Sequence, residues 1–262
     1  MKIAVSGKGG GGKTTLAAFL IKAFADRGYK VLAIDADPDA NLAGALGFEH
    51  PESITPISEM KDLIGERTES KPGSYGTFFK LNPQVSDLPE KLAQTKGNIR
   101  LMVLGGVKRG GGGCICPEST LLKALVTHLI LARDDVVVLD MEAGIEHLGR
   151  GTASAVDRLI VVVEPGKRSV ETAHHIQALA KDLGLKNIVL VGNKVRGDQD
   201  RLFLESQLPE FTFLGFLPYD PRVIEADLEG KAPFEKEQTL ALLVNEMAEK
   251  LIAEKKGSAK GA

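Results

Sequence analysis

An apolar run at residues 2–6 and a segment with helical spacing from residue 13 flank Gly7-Lys8-Gly9-Gly10-Gly11-Gly12-Lys13-Thr14, which satisfies GxxxxGK[ST]. Glycine lets the backbone wrap closely around a polyphosphate with its amides turned inward, and a helix opening near Lys13 adds its positive end. Strand, loop and helix in that order point to an α/β chain with a nucleotide at the carboxyl edge of a sheet. The spacing assigns Lys13 to the β and γ phosphates and the Thr14 hydroxyl to magnesium, with Gly9, Gly10, Gly11, Gly12 and Thr15 around the phosphates.

Short β-branched or Leu-rich runs recur at residues 2–6, 31–35, 99–104, 136–140, 159–164, 187–192 and 212–217. Leu16, Phe19, Leu20, Ala23 and Phe24 mark a helix ended by Gly28; Val170, Ile176, Leu179, Ala180 and Leu183 mark another ended by Gly184. Strands this apolar cannot face water on one side. The expectation is one α/β domain over residues 1–254, with a mainly parallel sheet of seven strands, or eight, and helices on both faces. Residues 49–98 break the alternation with five prolines, only 58–66 looks helical, and the segment reads as an irregular insertion. Leu240, Leu243, Val244, Met247 and Leu251 mark a helix docked on the core, and residues 255–262 are expected to form a disordered tail.

Lys plus Arg number 33 and Asp plus Glu 35, a net charge of −2, so no global positive field draws in nucleic acid or an anionic membrane. The N-terminus lacks the long apolar stretch of a secretory signal, and the run at 121–132 is interrupted by Lys123 and His128. Two cysteines, both in Cys114-Ile115-Cys116, cannot build a disulfide framework, which indicates a reducing, cytoplasmic setting.

The apolar strand at 136–140 ends in Asp140, an acid suited to hold magnesium or its waters beside Thr14. With Lys8 inside it, the glycine loop resembles that of the deviant P-loop ATPases, the family of the nitrogenase iron protein and of the division and plasmid-partition ATPases. The resemblance implies an ATP-driven homodimer in which Lys8 crosses to the partner's nucleotide. It also implies that Asp37, in Asp35-Ala36-Asp37-Pro38-Asp39, orients or activates the attacking water, with Asp39 a secondary candidate. Asn193 would read the adenine beside the backbone of Pro218 and Tyr219. Gly144 offers a hinge that registers the γ phosphate, and Glu142 reads as a solvated side chain.

In an extended backbone residues two apart point to one side, so the sulfurs of Cys114 and Cys116 can face one ion. Pro117 suits the first turn of a helix through Leu121, Leu122, Leu125 and Leu129, which puts Cys116 at its positive end and favours the thiolate. Two thiolates are half of a four-donor nickel or zinc site, and a two-fold dimer doubles them. The plainer alternatives are a buried cysteine pair or a redox pair. Among the histidines, His174 and His175 adjoin and cannot share an ion, His128 reads as a helix-face residue, and His147 could be either.

The loop with Lys8, the Asp35–Asp39 motif, the Cys-x-Cys after its basic glycine run and the segments 54–61 and 141–148 together resemble a narrower family. It is that of the nickel-insertion accessory ATPases of carbon monoxide dehydrogenase and the similar maturation ATPases of acetyl-CoA synthase. That resemblance spans nearly the whole chain. It implies ATP and Mg2+ as cofactors, Ni2+ as cargo with Zn2+ able to substitute, an ATP-dependent homodimer, and one of those enzymes as client, with neither nucleic acid nor membrane as partner. Two other readings stay open: an iron–sulfur electron-transfer ATPase like the nitrogenase iron protein, and an ATPase that positions membrane or DNA.

Overall fold

The strands that read as unbroken apolar runs are buried along their length, so each must be covered from two sides. The computed structural model describes residues 1–70, 78–105, 116–131, 136–142, 145, 148 and 150–258. Its strands are Lys2–Gly7 (β1), Val31–Ala36 (β2), Gln94–Lys96 (β3), Ile99–Val103 (β4), Val136–Met141 (β5), Arg158–Val163 (β6), Ile188–Val195 (β7) and Thr212–Pro218 (β8). They form one sheet in the order β3-β4-β2-β5-β1-β6-β7-β8, parallel throughout except for the β3–β4 pair. Seven are the runs expected. The eighth, β3, is three exposed polar residues with no alternation to announce it.

The helices are Lys13–Asp26 (α1), Leu42–Ala45 (α2), Lys61–Thr68 (α3), Leu88–Leu92 (α4), Pro117–Leu131 (α5), Arg150–Ala153 (α6), Lys167–Leu183 (α7), Asp198–Gln207 (α8), Pro221–Leu228 (α9), Pro233–Lys236 (α10) and Gln238–Ser258 (α11). Successive strand residues point to opposite sides. Ile3, Val5, Val31, Ala33, Val136 and Val138 therefore pack with α1 and α11, while Ala4, Leu32, Ile34, Val137 and Leu139 pack with α5 and α7. Among the described residues no helix is long and apolar enough to cross a membrane.

The insertion holds more structure than its prolines suggest. Besides α3 it contains α4 and β3, and Ile57, Ile64, Val85 and Leu88 bury themselves in the core on the α5 side. The tail also differs from expectation: α11 continues to Ser258, past residue 255. Lys255 Nζ lies 2.6 Å from Asp157 Oδ2 and Arg158 reaches Glu254 at 2.8 Å, so its last turns are tied to the start of β6. Residues 259–262 lie outside the described residues.

The two sheet edges are unlike. Lys96 of β3 donates to Leu46 O at 3.1 Å. Along β8 a groove of about 630 Å3 is lined by Phe211, Phe213, Phe216, Leu243 and Met247, and Lys250 donates to Leu214 O at 3.2 Å.

Candidate nucleotide and metal site

Parallel order brings the ends of β2, β5, β1, β6 and β7 side by side at one edge, with the glycine loop in the middle. Gly7 pairs with Val162 of β6 so closely that a Cβ on Gly7 would lie 2.5 Å from the Val162 carbonyl oxygen, at a φ of 146°. The three atoms nearest to that Cβ are all backbone atoms of Val162, not a flexible side chain. Gly7→Ala should therefore destabilise the fold by about 2–4 kcal/mol; an unchanged denaturation midpoint would show that β1 and β6 can part freely. Gly11 N donates to Lys8 O at 3.0 Å, and Leu16 N to Gly12 O at 3.0 Å starts α1. Lys13 is buried, with Nζ 3.7 Å from Asp37 Oδ2.

Strand parity sets two carboxylates beneath that helix start. Asp35 shares the face of Val31 and Ala33, Asp140 that of Val136 and Val138, and the two are register partners. Asp35 is fully buried and accepts from the N–H groups of Leu42 (2.9 Å) and Asp37 (3.2 Å). Burial pushes its carboxyl up to about 6 despite those bonds. Asp140 is pushed up to about 7 by burial; Thr14 and, more weakly, Lys13 pull the other way. Thr14 is near enough to temper the charge, yet neither Asp140 oxygen has a hydrogen bond of normal geometry. A pair of buried, unpartnered carboxylate oxygens beside a threonine hydroxyl fits a magnesium ion and its waters.

Asp37 is half-buried and accepts from Asp39 N at 3.0 Å, whereas Asp39 is exposed. Glu142 is exposed, as expected, but its carbonyl accepts Ser6 Oγ at 3.0 Å and so ties β1 to the end of β5. Gly144 and His147 lie outside the described residues.

On the other side of the loop, Asn193 donates its Nδ2 to Gly11 O at 2.8 Å, and a Cβ on Gly12 would meet that nitrogen at 2.2 Å. Asn193 thus braces the loop, a contact the sequence reading did not anticipate, while its Oδ1 is the atom suited to accept from a base. Lys194, at the uncommon φ of 57°, donates Nζ to Gly10 O at 2.6 Å. Lys8 pairs with Glu164 Oε1 at 2.8 Å. A cavity of about 380 Å3 opens between Glu164, Pro165, Lys194, Arg196 and Tyr219, and Tyr219 N donates to Val195 O at 3.0 Å. Sequence reasoning passed over Asp35, Glu164 and Lys194 as site residues. A signal existed: each stands at the end of an apolar run, as Asp140 does.

Cys116 is half-buried at the mouth of α5; its carbonyl accepts from Thr120 N at 3.0 Å and its Sγ from Ser119 N at 3.4 Å. The sulfur occupies the place of an N-cap oxygen, where the helix dipole favours a thiolate. Cys114 and the basic glycine run before it lie outside the described residues.

This glycine loop, on this sheet, with a buried lysine and an acid beneath the helix start, defines a P-loop ATPase. A family model described as the CobQ/CobB/MinD/ParA nucleotide binding domain matches residues 2–234, and the chain belongs to that family. The carbon monoxide dehydrogenase accessory protein CooC of Rhodospirillum rubrum is 47% identical over 232 residues, which cover 88% of each chain. An uncharacterised ATP-binding protein of Methanocaldococcus jannaschii is 50% identical over 234 residues, 88% of this chain and 90% of that one. Among solved structures, the septum site-determining protein MinD of Pyrococcus horikoshii, complexed with Mg-ADP, is similar with a TM-score of 0.64 at 21% identity, covering 95% of this chain and 94% of that one. That last likeness is one of fold.

Proposed function

We propose that this chain is an ATP-dependent nickel-insertion factor for carbon monoxide dehydrogenase or acetyl-CoA synthase. Two copies pair when ATP is bound, and Cys114 and Cys116 of each together hold the metal being delivered. The observation that carries the reading is the position of Cys116. It caps a helix that follows β4, and that helix opens on the same sheet edge as the glycine loop, so a face-to-face pair could join its nucleotides and its thiolates across one interface. The similarity to CooC supports the choice of client and cargo. A reducing, cytoplasmic setting keeps the thiols available.

In this reading Lys13 binds the β and γ phosphates, and Asp37, with Asp39 behind it, orients the attacking water. Lys8 crosses to the nucleotide of the second copy. Thr14 and Asp140 would hold magnesium, which when bound would supply positive charge to the phosphates. The adenine lies by the cavity at Tyr219, read by Asn193 and the backbone of Pro218 and Tyr219.

If ATP favours the pair and the pair completes the metal site, nickel favours the pair by the same coupling energy. Wild-type protein with ATP should carry about one nickel for each two chains, the count that four thiolates at one centre require. The double variant Cys114→Ser, Cys116→Ser should still bind nucleotide yet lose nickel and nickel-promoted pairing. Metal analysis and molecular mass with ATP, with ADP and without nucleotide read both. Nickel held undiminished by the serine variant sinks the reading, as does an anaerobic preparation rich in iron and sulfide.

A further inference from the structure

The β1–β6 register does more than start the glycine loop. Gly7, the last residue of β1, pairs with Val162, and β6 runs one residue further, to Val163, so Lys8 and Glu164 leave the sheet side by side. Their side chains meet at 2.8 Å. Glu164 is well anchored: it directly follows β6, and its N–H donates to Ser169 Oγ at 3.0 Å, where Ser169 is itself buried. Lys8 stands on a loop of glycines, its side chain 36% exposed, so it is the member of the pair that can leave.

A second cation stands ready. Lys194 Nζ lies 3.6 Å from the other oxygen of Glu164 and is held there by Gly10 O. Against the upward push of burial, the two lysines hold the Glu164 carboxyl below its ordinary range. With Lys194 in place, departure of Lys8 leaves the half-buried Glu164 carboxylate still paired, which keeps the contact cheap to open.

We propose that Glu164 is a positioning residue that parks the Lys8 ammonium within its own chain, and that pairing of two ATP-bound copies must first open this contact. The inference rests on the reading of Lys8 as the lysine that crosses to the second copy. Glu164 thus sets a threshold: in the separate chain Lys8 is engaged, and the attraction of a second triphosphate has to exceed that of a carboxylate already at hand. A partly exposed ion pair contributes a factor of about 1.4 to 5, and two are opened in each dimer.

The test is the dimer dissociation constant of the full chain, measured by sedimentation with saturating magnesium and a non-hydrolysable ATP analogue. Glu164→Gln should pair about 2- to 30-fold more tightly than wild type. Glu164→Ala should move the same way, which guards against one variant failing to fold. The gap between wild type and Glu164→Gln should narrow as salt rises, because screening weakens the parked pair; damage to the fold would produce neither tighter pairing nor that trend. Lys8→Ala separates the two ideas. If it pairs as wild type does, the crossing role of Lys8 fails and the parking role with it. If it does not pair, and Glu164→Gln pairs no better than wild type, Lys8 crosses but Glu164 does not restrain it.

Discussion

Methionine in place of Lys13 should leave the fold standing and slow ATP hydrolysis on the order of 10²- to 10³-fold. The substitution keeps the aliphatic stem, which is buried under the loop, and removes the ammonium at 3.7 Å from Asp37. In a site that excludes water a charge is screened weakly, so its loss weighs more than on a surface. Beneath the helix start the remaining charged groups are acidic: Asp35, Asp37 and Asp140 converge from two neighbouring strands. Phosphate release at saturating Mg-ATP reads the effect. Turnover within tenfold of wild type would mean that the loop amides and magnesium carry the charge by themselves.

Asn in place of Asp140 should act in opposite directions on stability and on activity. Both Asp140 oxygens are buried without a hydrogen bond of normal geometry, and burial, against a weaker pull from Thr14, raises the carboxyl from an ordinary 3.8 to about 7. An acid with a raised folded pKa lends its full stability below its unfolded pKa and loses it as pH climbs through the folded value. The nucleotide-free protein should therefore weaken between about pH 4 and 7, with Asp35, raised to about 6, adding to the slope. At about 1.4 kcal/mol for each pH unit between the two pKa values, the Asp140 share is bounded by about 4 kcal/mol. Asp140→Asn should recover most of that at pH 8 and less than half at pH 5, while magnesium-dependent hydrolysis falls on the order of 10²-fold or more. Urea denaturation at the two pH values, beside a turnover assay, decides the matter. Equal midpoints for variant and wild type at pH 8 would remove the claim that an unsatisfied charge sits there.

What could be read from the chain in advance was whatever is local. The seven apolar strands announce themselves because both faces are covered, and the glycine loop, Asp37 and Asp140 each sit inside or just after such a run. The antiparallel β3 and the five-residue α4 were illegible for the converse reason: one is exposed and polar, the other too short for a helical period. Lys8 and Glu164 are 156 residues apart and Lys194 is 184 from Gly10, so those partnerships need the order of strands, which no periodicity supplies. The same holds for Asn193, whose amide turns out to lie on Gly11. The run of α11 to Ser258 depends on Asp157 and Arg158, nearly a hundred positions earlier.

The unlike flanks of the sheet carry unequal hazards. At β3 a newcomer strand meets three polar residues, with a lysine already bound to the neighbouring loop. At β8 it would meet seven residues rich in phenylalanine and leucine, guarded by the ammonium of Lys250 on one carbonyl. Lysine along a strand rim is a familiar gatekeeper against runaway stacking of copies. Heat- or storage-induced clumping of this protein should thus begin at the β8 rim, far along the sheet from β3, and light scattering should rise sooner in a double variant that removes Lys250 and Arg201, which lies over the Phe216 ring, than in wild type.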